Sequence, residues 1–306
     1  MRRLFFMLSF VAVSCSVAVD EPVDVAVDER VFHGVIAEDD TRVFLDEQIR
    51  LRWNADDRIT LLEGTTRNKQ YKFMGENGDN AGDFEFVKAG FGTGNDLDRY
   101  YALYPYASTT KYKYGEGGAD DYLEYTLPAT QSYVAGSVGK DANVMVAVTQ
   151  DLDDFDFTFR NACSFLLVRL WGAEQSVGSI TVTANGGEAL SGKCHIVPVY
   201  GGTPTLTMAS TVSSVMLSCP EGVAIGSSSA EATDFWVVLP PATYSEGITV
   251  KVTGFYGGEQ SYVVGSSLTF KRNEYKRLVR ELSIASSGAG MGVGGWGDGE
   301  NIEGEI

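Results

Sequence analysis

Histidine is scarce in this sequence, and its scarcity limits the reactions that the chain could catalyse. Only His33 and His195 occur among 306 residues. A serine or cysteine nucleophile needs a base beside it, which is most often histidine. His195 adjoins Cys194, but neighbouring residues of a strand point to opposite faces of the sheet. The sequence therefore predicts no enzymatic activity.

Cysteine is also scarce, with four residues too scattered for a disulfide framework or a CxxC metal site. Cys194 and Cys219 could form a disulfide in an oxidising compartment, or both could stay reduced. Cys163 is expected to be buried as a small apolar side chain. Acidic clusters such as residues 151–154 lack the spacing of a calcium-binding loop and are expected to be solvated turns, so no metal or cofactor site is predicted.

Basic residues are outnumbered in the chain. Lys and Arg total 24 against 41 Asp and Glu, which gives a formal net charge of −17 at pH 7. A protein that coats nucleic acid needs clustered cations that neutralise phosphates. The composition therefore excludes nucleic acid as a partner.

Helical periodicity is missing from the body of the chain, where apolar and polar residues alternate from Val31 onward. Residues 155–160 and 248–253 are the clearest alternating segments, and residues 261–270 are expected to form one further strand. The 35 glycines favour many tight turns. Short strands at near-regular spacing predict an all-β protein built from sandwiches.

Residues 1–14 have the composition of a secretory signal, with Arg2 and Arg3 before an apolar run. The run is shorter than the roughly 20 residues that span a bilayer. Residues 12–16, Ala-Val-Ser-Cys-Ser, resemble the lipobox of Bacteroides-type lipoproteins, which predicts cleavage before Cys15 and acylation of its thiol. An ordinary signal peptide with an unrelated cysteine is the alternative.

The length of the chain corresponds to about two domains of roughly 150 residues. With a signal peptide, a tether and a tail, the chain is predicted to contain five segments. The acidic residues 151–154 mark the preferred boundary between the domains. The segments are a lipoprotein signal peptide (1–14), an acidic tether (15–30), an N-terminal β-sandwich (31–150), a C-terminal β-sandwich (151–284) and a glycine-rich tail (285–306).

Several short patterns follow one another along the chain. The first half contains Thr-Arg at 41–42, W-x-x-x-D-x-I at 53–59, YPY at 104–106 and LP-x-x-Q at 127–131. The second half contains FTFRNACSFL at 157–166, LP at 239–240 and F-x-x-N-x-Y at 270–275. Their order and spacing resemble the fimbrillin family, the type V pilins and Mfa-like lipoproteins of Bacteroides-type bacteria.

The resemblance implies two transthyretin-like Greek-key β-sandwich domains and a lipid-anchored place on the outer membrane surface, in a fimbria that serves cell adhesion. It also implies assembly with other pilin subunits by donor-strand exchange, after an arginine-specific protease removes the first strand. The role of stalk, tip or anchor subunit stays open.

Residues 31–37 would be the removable strand, with Phe32 and Ile36 on one face and Val35 as a further groove residue. Arg42 is the preferred cleavage point and would leave 264 residues (306 − 42), while Arg30 is the alternative. A third possibility is that residues 41–42 are only a turn and strand start that is never cut.

The tail offers Val293, Trp296 and Ile302 as anchors for a donor strand, although three anchors in a glycine-rich segment make a poor strand. A tip or accessory subunit, or a lipid-anchored adhesin that never polymerises, is therefore an alternative. In the second case a glycan on a host or bacterial surface could stack on exposed tyrosines. The candidate rings are Tyr100, Tyr101, Tyr104, Tyr106, Tyr112 and Tyr114.

Overall fold

The computed structural model describes residues 30–37, 51–90 and 94–284. Almost all regular structure in them is β-strand, with one short 3₁₀ turn at Ser229–Glu231. The predicted all-β class is confirmed. No helix in this part of the chain is long and apolar enough to cross a membrane.

The strands are short and number 21 within the described residues. The first ten are β1 (Phe32–Ile36), β2 (Arg58–Leu62), β3 (Asn68–Phe73), β4 (Ala81–Ala89), β5 (Tyr101–Tyr104), β6 (Lys111–Lys113), β7 (Tyr122–Leu127), β8 (Thr130–Ser132), β9 (Met145–Val148) and β10 (Asp156–Asn161). The others are β11 (Ser164–Trp171), β12 (Ser176–Ala184), β13 (Gly192–Val197), β14 (Thr205–Met208), β15 (Ser214–Ala224), β16 (Thr233–Leu239), β17 (Ala242–Tyr244), β18 (Ile248–Gly254), β19 (Glu259–Val264), β20 (Leu268–Phe270) and β21 (Tyr275–Glu281).

Seven of these strands close into a barrel in the order β1-β10-β9-β5-β2-β3-β4. The other sheets are β16-β11-β21, β19-β18-β12-β15-β8, β14-β13-β7-β6 and β17-β20. Three of the five sheets contain strands from both sides of the predicted boundary at residues 150/151. From the C-terminal side, β10 lies in the barrel. From the N-terminal side, β8 pairs with β15, and β7, which pairs with β6, also pairs with β13. The division into two sandwich domains stays a prediction.

The barrel encloses an aromatic core. Trp53, five residues before the start of β2, is fully buried, and its ring centroid lies 5.0–5.6 Å from those of four other rings. Burying one large apolar side chain contributes about 1.5–3 kcal/mol. The four rings around Trp53 belong to Phe73, Phe84, Tyr104 and Phe159.

The strand β11 is buried on both faces and lies between two further cores. Leu166, Val168 and Leu170 pack toward the five-stranded sheet. Phe165 and Leu167 point the other way and join a core that includes side chains of β7 and β13. A strand covered on both faces has a near-continuous apolar sequence, and β11 has one from Phe165 to Trp171 with Arg169 as the single interruption.

The expectation of one strand over residues 261–270 is wrong. The structure divides this segment into β19, which pairs with β18, and β20, which pairs with β17 in another sheet. Gly265 lies at the break, where the chain leaves one sheet for the other. A glycine within an apolar run often marks such a bend.

Gln131 of the LP-x-x-Q pattern stabilises a sheet edge from a distance. Its side-chain amide donates to the carbonyl of Val238 (2.8 Å), and its side-chain oxygen accepts from the Val238 N–H (2.9 Å). Val238 lies in β16, the edge strand of its sheet, so Gln131 takes the place of a missing neighbour strand. Both residues are buried.

Replacing Gln131 with alanine should lower the free energy of unfolding by about 2–4 kcal/mol, because a buried N–H and a buried C=O each lose their partner. Urea unfolding followed by tryptophan fluorescence would measure the change. Ser132→Ala is the control, since this exposed neighbour lies on the same strand and should cost less than about 0.5 kcal/mol. Equal effects of the two substitutions would contradict this account of Gln131.

Candidate functional site: the groove that holds the first strand

The strand β1 lies in a groove between two other strands of the barrel. It pairs in parallel with β10, with His33 opposite Asp156, and antiparallel with β4, with Phe32 opposite Phe84. The first strand of the described chain is therefore an interior strand of its sheet. Its hydrogen bonds satisfy both neighbouring edges.

Backbone hydrogen bonds hold β1 along its whole length. The N–H of His33 donates to the carbonyl of Phe155 (3.0 Å), and the N–H of Ala37 donates to the carbonyl of Phe159 (2.9 Å). On the other edge, the N–H of Ile36 donates to the carbonyl of Asn80 (2.9 Å). Such main-chain bonds form with any extended peptide, whatever its sequence.

The inward face of β1 supplies the sequence-dependent contacts. Phe32 is fully buried, and its ring packs edge-on against Tyr71 (5.5 Å) and Tyr100 (5.0 Å) and tilted against Phe157 (5.6 Å). Ile36 is also fully buried. The sequence prediction of Phe32 and Ile36 on one face is in agreement with this arrangement.

Gly34 lies between these two anchors, and its position excludes any side chain. A Cβ atom built there would lie 2.6 Å from a ring carbon of Phe84 and 3.0 Å from one of Phe159. The two rings cross over the strand at this point, so the groove has a slot that only glycine fits. No local sequence pattern reveals this slot, because the rings that form it come from distant strands.

The outward face of β1 makes weaker contacts. Val35 is half-buried, and His33 is exposed with its Nδ1 atom 2.9 Å from an Asp83 carboxylate oxygen. Exposed pairs of this kind contribute little stability. The specificity of the groove therefore comes from the inward positions.

Just before β1, Arg30 closes one end of the groove. Its Nη2 atom lies 2.7 Å from Oε1 of Glu63, whose side chain is fully buried. Its Nη1 atom donates to the hydroxyl of Tyr100 (3.2 Å), which in turn donates to the carbonyl of Leu152 (2.8 Å). No sequence pattern marks Glu63 as a site residue, since it is a lone glutamate after an apolar strand.

Introducing valine at Gly34 should destabilise β1 in its groove by about 1–3 kcal/mol, because the new side chain must displace the rings of Phe84 and Phe159. His33→Val is the matched control, since it places the same side chain on the exposed face of the same strand. Hydrogen exchange at the amides of Ile36 and Ala37 would measure the opening of β1. Equal protection in both variants would show that no such slot exists.

The other predicted site residues lie outside the described part of the chain. They are the lipidation candidate Cys15, the cleavage candidate Arg42 and the tail anchors Val293, Trp296 and Ile302. Their roles stay predictions. Of the two cleavage candidates, only Arg30 has a described position.

The three described cysteines are free and buried. Cys194 and Cys219 belong to separate cores, so the structure contains no disulfide between them. Burial raises the pKa of Cys163 and Cys194 to about 12 and that of Cys219 to about 11. Raised pKa values keep the thiols protonated and therefore poorly nucleophilic.

Thiol labelling at pH 8 should be very slow in the folded chain, since a thiol with a pKa near 12 is ionised to only about one part in 10⁴. A Cys15→Ser chain treated with a chromogenic disulfide reagent should release colour only on unfolding in urea, and then from three thiols. Ser261→Cys, at an exposed position of β19, is the positive control. Fast reaction of the native thiols, or two fewer thiols after unfolding, would contradict the description.

His195 and Cys194 do not form a catalytic pair. Cys194 points into a core, while the ring of His195 is only partly buried and stacks on Tyr122 at 4.1 Å. Among the described residues, no group of three His, Cys, Asp or Glu side chains is placed to hold a metal ion.

The tyrosines proposed as a sugar platform are mostly part of the fold. Tyr100 and Tyr104 are buried, and only Tyr114 is more than half exposed, at 52%. Tyr112 packs edge-on between Tyr101 and Tyr114, with 5.1 Å between centroids on each side. Their edge-on packing leaves no flat pair of rings, and the glycan hypothesis stays a prediction.

Comparison with solved structures finds matches among bacterial proteins. A "putative cell adhesion protein" from Bacteroides uniformis is 17% identical, with 86% of this chain and 94% of that chain covered and a TM-score of 0.46. A fimbrial protein from Bacteroides ovatus is 14% identical, with coverage of 81% and 48% and a TM-score of 0.33. The tip fimbrial protein Mfa3 from Porphyromonas gingivalis is 6% identical, with coverage of 82% and 94% and a TM-score of 0.28.

No protein-family model matches the chain, and no curated protein matches it.

Proposed function

We propose that this chain is a fimbrillin-like subunit of a surface fibre that serves cell adhesion, and that β1 is exchanged for a strand of another subunit. The observation that carries the proposal is the position of β1, an interior barrel strand formed by the first residues of the described chain.

Chain connectivity makes β1 separable. Within the described chain, the strand is joined covalently to the rest of the barrel through residues 38–50, which follow it in the sequence. A cut within this segment turns β1 into a peptide held by hydrogen bonds, side-chain packing and the ion pair of Arg30 with Glu63. Arg42 and Arg50 lie in the segment, so an arginine-specific protease has two possible sites there.

Removal of β1 would leave an acceptor site of defined chemistry. The edges of β4 and β10 would lose their hydrogen-bond partners, and unpaired edges readily bind another extended chain. The aromatic pocket of Phe32 would be open at the same time. A strand from another subunit could then restore both the ladder and the core.

Cleavage at Arg30 would not open this groove. Arg30 precedes β1, so a cut there leaves the strand attached through residues 38–50. The guanidinium group is also engaged by Glu63 and Tyr100, whereas a protease must take the arginine side chain into its own pocket. Both arguments favour Arg42 over Arg30.

Cleavage at Arg42 would also release the lipid anchor. Acylation of Cys15 would hold the precursor at the outer membrane surface, and the anchor would leave together with β1. Export, anchoring and assembly would then follow in that order. The partners in this scheme are the lipid bilayer, the protease and other pilin subunits.

The test is exchange of β1 in the nicked chain. The full chain is cut with an arginine-specific protease, the cut is located by mass spectrometry, and a fluorescent peptide of residues 28–37 is added. We expect the peptide to replace β1 and to elute with the protein body. The peptide should not bind to an uncut chain carrying Arg42→Lys and Arg50→Lys, which keeps both charges. Failure of the nicked chain to take up this peptide would refute strand exchange.

A further inference from the structure

We infer that the groove selects a strand from another protein chain with the pattern basic-x-aromatic-x-Gly-x-aliphatic, and that it rejects this chain's own C-terminal tail. The inference rests on the proposed strand exchange and names the partner of that same groove. The selecting group is the buried carboxylate of Glu63.

Glu63 gives one end of the groove a negative charge that the bound strand helps to balance. Its side chain is fully buried, with Lys69 Nζ at 2.5 Å and the Tyr71 hydroxyl at 2.8 Å from Oε2. Arg30 Nη2 lies 2.7 Å from Oε1 and comes from the removable segment. Buried charges are tolerated when they are paired and hydrogen-bonded. Loss of Arg30 with β1 therefore leaves a site that favours another cation.

The charge site and the aromatic site have a fixed spacing. Tyr71 and Tyr100 each contribute to both, because their hydroxyls bond Glu63 and Arg30 while their rings pack on Phe32. Arg30 and Phe32 are two residues apart, which places them on the same face of an extended chain. A strand must therefore carry its cation two residues before its aromatic side chain.

The rest of the groove sets the register of the strand. Gly34 occupies the slot under the rings of Phe84 and Phe159, and Ile36 fills the last buried position. A shift by one residue would turn every inward side chain outward. A shift by two would place Phe32 or Ile36 in the glycine slot, so the four inward positions together permit one alignment.

The C-terminal tail lacks the required cation. No Lys or Arg follows Arg280 in the sequence, whereas residues 285–306 contain four acids. If Trp296 occupies the aromatic site, Asp298 falls in the glycine slot. If Ile302 occupies the aromatic site, Glu300 falls beside Glu63. A carboxylate placed beside the buried Glu63 is repelled by it, and the position of Arg30, whose side chain is 45% exposed, screens that repulsion only in part. The acids of the tail are Asp298, Glu300, Glu303 and Glu305.

Val293, the remaining tail anchor, fits the groove better than Trp296 or Ile302, but its register supplies no cation for Glu63. With Val293 in the aromatic site, Gly295 falls in the glycine slot and Met291 falls beside Glu63. In this register Gly295 fits the slot without a clash, yet the neutral side chain of Met291 lies where Glu63 favours a cation. The groove therefore calls for a strand from a different protein, and the tail of this chain is left without a matching groove on its own copies.

Competition between peptides tests the inference. The nicked chain is loaded with fluorescent peptide 28–37, and the concentration of unlabelled peptide that displaces half of it is measured. We expect the Arg30→Glu peptide to be weaker than the wild-type peptide by at least about 30-fold, and Arg30→Lys by less than about 5-fold. A peptide of residues 287–306 should not displace the label.

Two controls separate charge recognition from general effects of charge. The Val31→Glu peptide keeps Arg30 and adds a carboxylate on the outward face of the strand, at a position that is 50% exposed, and it should lose less than about 3-fold. In a Glu63→Gln chain the difference between the wild-type and Arg30→Glu peptides should fall below about 5-fold. Both effects would support Glu63 as the selecting group.

Each contrary result has a distinct meaning. Equal losses from Arg30→Glu and Val31→Glu in the wild-type chain, or displacement by the tail peptide as strong as by the wild-type peptide, would overturn the inference and leave strand exchange intact. If not even the wild-type peptide exchanges, the proposed function itself fails, and the inference fails with it.

Discussion

The pairing of β1 with both β4 and β10 is the constraint on which the rest of the barrel depends. A barrel has no open edges only while every strand is present, and unpaired backbone groups at a buried position are costly. The aromatic core reinforces this constraint, because Phe32 is one of the rings that fill the barrel interior. A groove that must be filled, by a strand that comes from one end of the described chain, is the physical basis for replacing that strand with another.

Three of the short sequence patterns supply side chains with structural roles in the described chain. The side chain of Gln131 forms hydrogen bonds with the backbone at the edge of β16. The side chain of Asn161, in the pattern at 157–166, donates to that of Asn273, in the pattern at 270–275, at 3.2 Å. The side chain of Asn161 also donates to the carbonyl of Cys163. Such residues hold separate sheets together, so a likeness in these patterns reports on the fold more directly than on the ligand.

Local alternation was enough to predict the all-β class and the inward face of β1, since both depend on neighbouring residues. Long-range features could not be predicted in the same way. The slot at Gly34 is formed by Phe84 and Phe159, and the charge site joins Arg30 to Glu63 across 33 positions (63 − 30). Sheet order was hidden for the same reason, because the pairing of β8 with β15 joins segments that share no local pattern.

The position of Arg30 before β1 means that removal of the strand also changes the charge of the groove. Because it precedes β1, it stays with the strand whenever the cut falls at Arg42, and the acceptor then loses the strand and its cation in one step. The Glu63 end of the emptied groove is more negative than that of the filled groove. The chain that remains after a cut at Arg42 keeps 33 acids (41 − 8) against 20 bases (24 − 4), so its formal net charge is still −13. Acidic segments, including the tail of the same chain, are then the poorest competitors for it. A basic residue near the start of an incoming strand would both attract the strand to the groove and align it there.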